Sequence, residues 1–240
     1  IAIRFSNIRP LLTAGFRFLR RFEDMHKIFE KGRSMIEMLG VLAIIGVLSV
    51  GGIAGYSKAM EKFKINKIVA EYSSILQGLV EYKDNILGYN SNNQVGLTDV
   101  MIATGLVSKD WKKFSNIGFY DPFGNDVYFY SMKFDYGKGI SMDIYIGGEK
   151  VIAGKKASPN FSVNLCVELF NNFAYPLHSE IFRATVASYE KGWYDVEFFG
   201  DKYCGIKDRK CLKDAKLTDF KTACQSCSVN RSKCAFGIRF

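Results

Sequence analysis

Residues Gly32 to Lys58 read GRSMIEMLGVLAIIGVLSVGGIAGYSK, and a single side chain within them decides how the chain is read. Glu37 is the only charged residue between Met35 and Gly55, a run of 21 residues that also lacks proline. At ~1.5 Å per residue the run makes a helix about 32 Å long, enough to cross a hydrocarbon core. A carboxylate in lipid costs on the order of 2.5 to 3.5 kcal/mol even on permissive scales, so Glu37 implies a partner for its charge.

Gly32 stands five positions before Glu37 and follows the short charged stretch Met25-His26-Lys27-Ile28-Phe29-Glu30-Lys31. A charged leader, a glycine, four residues, a glutamate and then an apolar helix resemble the class III signal of type IV pilins and pseudopilins. The resemblance implies that a prepilin peptidase cuts between Gly32 and Arg33 on the cytoplasmic face, leaving the apolar helix in the mature protein. It also implies that Glu37 pairs with the new N-terminal amine of a neighbouring subunit during assembly. The partners it implies are further copies of the chain in a filament, the prepilin peptidase, a pilus assembly platform protein, other pilins and inner-membrane lipid. No cofactor is implied. The family usually places Phe, Met or another apolar residue after the cut, where N-methylation occurs, and Arg33 departs from that pattern.

Two plainer readings compete. An ordinary anchor would let Glu37 snorkel to the interface, but it has no reason to hold Gly32, Glu37 and a basic leader in this register. A removable secretory signal has an h-region of roughly 7 to 15 residues and a small-residue cleavage site, and this run is longer and lacks that site.

Upstream, Ile1 to Asp24 (IAIRFSNIRPLLTAGFRFLRRFED) is arginine-rich without a helical or strand period. Met25 therefore reads as the start of a leader over 25–32, with 1–24 as upstream sequence; the other reading is one long basic leader. Either way the mature subunit is expected to lack 1–32. That leaves 208 residues, of which roughly the last 150 suit one soluble domain. The removed segment carries seven Lys and Arg against three acids, so the formal charge falls from +9 to +5. A basic surface can attract DNA, acidic polymers or anionic lipid; without a dense Lys/Arg block, a solvated surface is the simpler account and DNA binding has no further support.

Lys and Arg flank the apolar run on both sides, so the positive-inside rule gives no orientation. The cysteines do. Cys166, Cys204, Cys211, Cys224, Cys227 and Cys234 all follow the membrane segment, and an even set confined to an exported domain reads as disulfides. The domain is then periplasmic or extracellular. Zinc is the competing reading, because Cys224-x2-Cys227 has ligand spacing and Cys204, Cys211 and Cys234 could complete a four-thiolate site. No second C-x2-C mirrors the pair, and His26 and His178 are remote in sequence. Six cysteines allow 15 pairings; among them a bridge from Cys166 to the Cys-rich tail is expected.

Beyond the apolar run the helical period continues. Ile65, Ile68, Val69, Tyr72, Ile75, Leu76, Leu79, Val80 and Ile86 recur at three- and four-residue steps, with Lys64, Lys67, Glu71, Gln77 and Glu81 on the other face. No proline interrupts Ser34 to Asn85, which predicts one helix of about 50 residues and roughly 75 Å. Over 33–87 the first half, with 35–55 transmembrane, is apolar all round, and the second half needs a domain to cover its stripe. That is the pilin shape. Many pilins have a proline in the apolar half; here Gly51-Gly52 offers the local weakness, and Gly40, Gly46 and Gly55 would let helices approach closely.

The remainder, 88–240, reads as α+β. A polar loop runs from Gly88 through Gln94. Leu97 to Leu106 is a short helix opened near Thr98 and closed at Gly105. Asp121-Pro122-Phe123-Gly124-Asn125 is a turn. Val127–Phe134 and Ile140–Ile146 form a half-buried hairpin around Tyr136-Gly137-Lys138-Gly139. Ser162 to Phe173 returns to helical spacing through Val163, Cys166, Val167, Phe170 and Phe173, and Pro176 is expected to stop it. Arg183–Tyr189 and Trp193–Phe199 form a second hairpin around Glu190-Lys191-Gly192, leaving Asp201 to Phe240 as a disulfide-stapled tail of little periodicity. This order is similar to type IVb pilins, and the Asp121–Asn125 turn before a Tyr-rich strand is similar to a turn in major pseudopilins.

The sequence contains no H-E-x-x-H, no G-x-S-x-G and no phosphate-binding Gly-rich loop. Asp143, Asp195 and Glu197 read as solvent-facing positions of alternating strands. The expected function is structural, a filament subunit rather than an enzyme. The alternatives are a pseudopilin of a type II secretion system and a minor pilin acting as a DNA- or surface-binding tip.

Overall fold

The structure is a computed structural model describing residues 35–88, 93–134, 136–152, 154–189, 193–206, 208–227 and 233–240. The leader 1–32, Arg33 and the turn Glu190-Lys191-Gly192 lie outside the described residues. The chain divides into two compact units, one ending at Glu61 and one spanning Lys62–Phe240.

Helix α1 (Met35–Glu81) runs through Gly51-Gly52 without a break. Hydrogen bonds donated by the Tyr82 N–H to the Gly78 carbonyl and by the Ile86 N–H to the Tyr82 carbonyl carry the helical path on into α2 (Lys83–Gly88). In the first unit every side chain over 35–59 is exposed. Within the second unit, Ile65, Ile68, Val69, Tyr72, Ile75, Leu76 and Leu79 are buried, the three- and four-residue stripe that the sequence predicts. Val80, expected on that stripe, is exposed, because it is the outer neighbour of the buried Leu79. Gly78 marks a close approach: a Cβ there would lie 2.1 Å from Leu106 Cδ2.

Among the described residues an antiparallel eight-stranded sheet forms the other layer. Its elements are β1 (Val95–Gly96), β2 (Lys112–Lys113), β3 (Gly118–Tyr120), β4 (Asp126–Phe134), β5 (Gly137–Tyr145), β8 (Arg183–Tyr189), β9 (Trp193–Phe199) and β10 (Lys233–Arg239). The order is β2-β3-β4-β5-β10-β8-β9, with β1 paired to β4. A separate hairpin, β6 (Lys150–Ile152) with β7 (Lys155–Ala157), was not among the expected elements. Helix α3 (Thr98–Ala103) falls where Leu97–Leu106 predicts it, ending before Gly105 at φ +69°.

Four differences from the sequence reading have physical causes. First, the tail is not irregular. It holds α5 (Leu217–Gln225) and β10, and β10 is a central strand between β5 and β8. The run Cys234-Ala235-Phe236-Gly237-Ile238 is buried on both faces, so it shows no alternation to read. Second, β5 starts at Gly137, which pairs with Phe134, so the hairpin turn is tighter than Tyr136–Gly139; Gly137 accepts a φ of +121°. Third, that hairpin is more than half-buried: Ser141 and Tyr145 on its outer face are also buried. Fourth, Pro176 does not end the helical path. α4 (Val163–Glu168), capped by the Ser162 hydroxyl accepting from Leu165 N, passes into a π-helical turn at Leu169–Ala174 and a 3-10 turn at Tyr175–Leu177. Pro176 sits in the opening positions of that last turn, where no intrahelical N–H is required of it.

Candidate functional site

Glu37 lies in the first turn of α1 as described, where a carboxylate complements the positive end of the helix dipole. Around it, Met35, Ile36, Met38, Leu39, Val41 and Leu42 are all exposed, and exposed apolar side chains continue to Tyr56. Among the described residues, nothing lies within 4 Å of where a Cβ would stand on Gly40, Gly46, Gly51, Gly52 or Gly55. The helix is long and apolar enough to cross a membrane by length and composition, and none of its most apolar stretch is buried within the chain. Gly32 and Arg33, the expected cleavage pair, lie outside the described residues.

The six cysteines meet in pairs: Cys166 with Cys224, Cys204 with Cys211 and Cys227 with Cys234, at Cα separations of 5.9, 4.9 and 5.9 Å. All are within disulfide reach. Cys166 on α4 does tie its helix to the tail, through α5. The cysteines weighed as zinc ligands, Cys204, Cys211, Cys224, Cys227 and Cys234, are divided among these three pairs. Cys166, Cys224 and Cys234 are fully buried and Cys227 partly so, which puts the Cys166–Cys224 bridge wholly in the core and the Cys227–Cys234 bridge at its edge.

A polar lock joins the second half of α1 to the Asp121–Asn125 turn. Tyr72, fully buried, donates its hydroxyl to Asp121 Oδ2 at 2.5 Å. Asn125 Nδ2 donates to the same carboxylate oxygen at 2.8 Å and to the Tyr72 hydroxyl at 3.0 Å. Asp121 Oδ1 accepts from the amides of Phe123 and Asn125 at 2.9 and 2.7 Å. Asn125 Oδ1 then accepts from Gly147 N at 2.8 Å, at the end of β5. The carboxylate thus receives four donors, which is what a buried charge requires. Burial, with the Asp121 charge next, pushes the Tyr72 phenol well above its ordinary pKa, so it stays a donor. Gly124, at φ +89°, lets the turn close around Asp121. The preceding residue, Glu71, accepts from Trp111 Nε1 at 2.5 Å.

Two acids read as solvent-facing are instead engaged on the outer sheet face. Asp143 accepts from the Tyr130 hydroxyl at 2.6 Å and lies 3.7 Å from the Arg239 guanidinium. Glu197 pairs with Arg183. Both follow from cross-strand register, which no local pattern reveals. Asp195 carries no described side-chain placement.

No protein-family model matches the chain, and neither a curated protein nor a solved structure matches it. The Tyr72–Asp121 lock and the Asp143–Arg239 pair were absent from the sequence reading. The Asp-Pro-Phe-Gly-Asn turn was the available signal for the lock, since Asp and Asn at turn positions commonly bond nearby backbone. Its partner stands 49 residues earlier.

Proposed function

We propose that the chain is a structural, non-catalytic subunit of a type IV pilus or related filament. It is held in the inner membrane by 35–55, cut after Gly32 by a prepilin peptidase and polymerised through α1. One observation carries this reading: α1 is a single helix whose residues 35–59 are exposed and almost wholly apolar, with Glu37 in the first turn. An apolar surface of that extent needs a non-aqueous surrounding. Lipid supplies it before assembly and the helices of other copies supply it afterwards. Beyond Ile65 the same helix has its stripe covered by a disulfide-stapled sheet domain, which suits the domain to the periplasm and the cell surface.

Shearing of surface filaments from cells that express the chain with a prepilin peptidase tests the reading. The expected result is this chain as a filament component, with an intact mass beginning at Arg33. Absence from surface filaments with the same mature terminus would favour the pseudopilin reading. A mature terminus anywhere else would remove the proposal.

A further inference from the structure

On the outer face of the sheet, over β10 and its neighbours, lies a groove of about 640 Å³, within the range of small-molecule sites. Strand register builds it. Tyr128 on β4, Asp143 on β5, Gly237 on β10 and Thr185 on β8 are successive cross-strand partners and form one row. Gly237 keeps the floor low: a Cβ there would lie 2.7 Å from Asp143 Oδ1 and 2.9 Å from Thr185 Oγ1. Ala187 and Ala235 continue that floor along the strands. The wall on the β4–β5 side is phenolic, with Tyr128 and Tyr130 half-buried and the Tyr145 ring under the Lys233 ammonium at 4.8 Å.

The charges in the groove are compensated. Arg239 lies 3.7 Å from Asp143, and Lys233 lies 2.6 Å from Glu149. An anionic polymer therefore meets little net positive field, and an apolar helix meets hydroxyls and ion pairs instead of a matching surface. A neutral ligand with hydroxyls around its edge and C–H groups on its faces fits both features. Tyrosine rings offer an apolar face beside a polar tip. Asp143 accepts, Arg239 and Lys233 donate, and the Thr185 hydroxyl can do either. The groove lies wholly within 94–239, and its argument does not use α1 or Glu37.

We propose that this groove binds a neutral oligosaccharide, with Asp143 as the central acceptor and Tyr128 and Tyr130 as the rings against which a pyranose face rests. The test uses the full chain in a zwitterionic detergent that contains no sugar. The protein is passed over immobilised neutral di- to tetrasaccharides with glucose, galactose, mannose and N-acetylhexosamine termini, and the best retained is titrated in solution. Retention on a subset is expected. Asp143→Asn removes the acceptor charge, and Ala187→Trp fills the floor from a half-buried position outside the core; each should weaken binding about tenfold or more. Near-UV circular dichroism checks that both variants fold, and Ala187→Trp keeps the test open if Asp143→Asn does not. Three results overturn the site: no retention of folded protein on any of these sugars, unchanged affinity in Ala187→Trp, or tighter binding to an oligodeoxynucleotide than to every neutral sugar.

Discussion

The Tyr72 hydroxyl donates to Asp121 across 49 residues of chain, and this bond fixes the second half of α1 against the turn that opens β4. Both residues are buried, so water cannot replace a lost partner. Tyr72→Phe keeps the ring, its edge contact with Trp111 and its tilted contact with Phe173. It leaves the carboxylate with three donors and Asn125 Nδ2 with one acceptor fewer. The expected loss is about 1 to 3 kcal/mol, read as a lower denaturant midpoint with an unchanged slope. A variant as stable as the parent would show that the lock adds nothing to the fold.

The three bridges should differ in weight. Cys166–Cys224 closes 58 residues, whereas Cys204–Cys211 and Cys227–Cys234 each close seven. On the chain-entropy account the long bridge contributes about 4 kcal/mol and each short one about 2. Paired Cys→Ala variants, unfolded in denaturant without reductant, should rank in that order. Equal losses from all three would mean that local packing and not loop closure governs them. Denatured parent protein should show no free thiol.

How much of this was legible depends on how far each signal reaches along the chain. The stripe from Ile65 to Leu79, the Asp121–Asn125 turn and the hairpin Arg183–Tyr189 with Trp193–Phe199 are written locally, in spacing and turn residues, and all appear as read. β10 was missed because Phe236 and Ile238 face the core while Ala235 and Gly237 lie against neighbouring strands. Burial on both faces erases the period of two. Its place between β5 and β8 depends on pairing with residues about 50 to 100 positions away, which no window of sequence contains. The Asp143–Arg239 pair was missed for the same reason. The Asp143 charge looked exposed until Arg239, brought in by β10, lay beside it.

Alkali should unfold the domain with a definite sign. Burial first, then neighbouring carboxylates, push Tyr130 and Tyr128 up to about 12, and Tyr72 is raised as well. Unfolded tyrosine titrates near 10. Above about pH 10 the unfolded chain therefore releases protons that the native state holds, and stability falls as pH rises. Below pH 10 these groups add no pH dependence. Thermal midpoints at pH 9, 10 and 11 should be level and then fall, while phenolate absorbance near 295 nm lags behind that of the denatured chain. Midpoints that hold level through pH 11.5 would contradict the burial of these phenols.

The last prediction concerns Glu37 and follows from the proposed filament. In a bundle of α1 helices the carboxylate is tolerable when it meets the amine freed at Arg33 of an adjacent copy, and the pairing also sets the axial register between helices. Glu37→Gln retains shape and removes charge. In the membrane-stored subunit no partner amine is yet present, so the substitution relieves a costly charge and the membrane level should not fall. Cleavage after Gly32 should persist, since the glycine and its leader are unchanged. In the filament, however, the amine of the neighbour is left buried and unpaired, at a cost of about 3 kcal/mol, or roughly a hundredfold in subunit affinity. Cells with the Gln variant as sole subunit should therefore hold processed protein in the membrane and carry few filaments. Counting filaments by electron microscopy beside an immunoblot of the membrane fraction separates the two effects. Parental filament numbers would show that Glu37 does not direct assembly, whereas loss of the membrane pool itself would assign Glu37 to insertion.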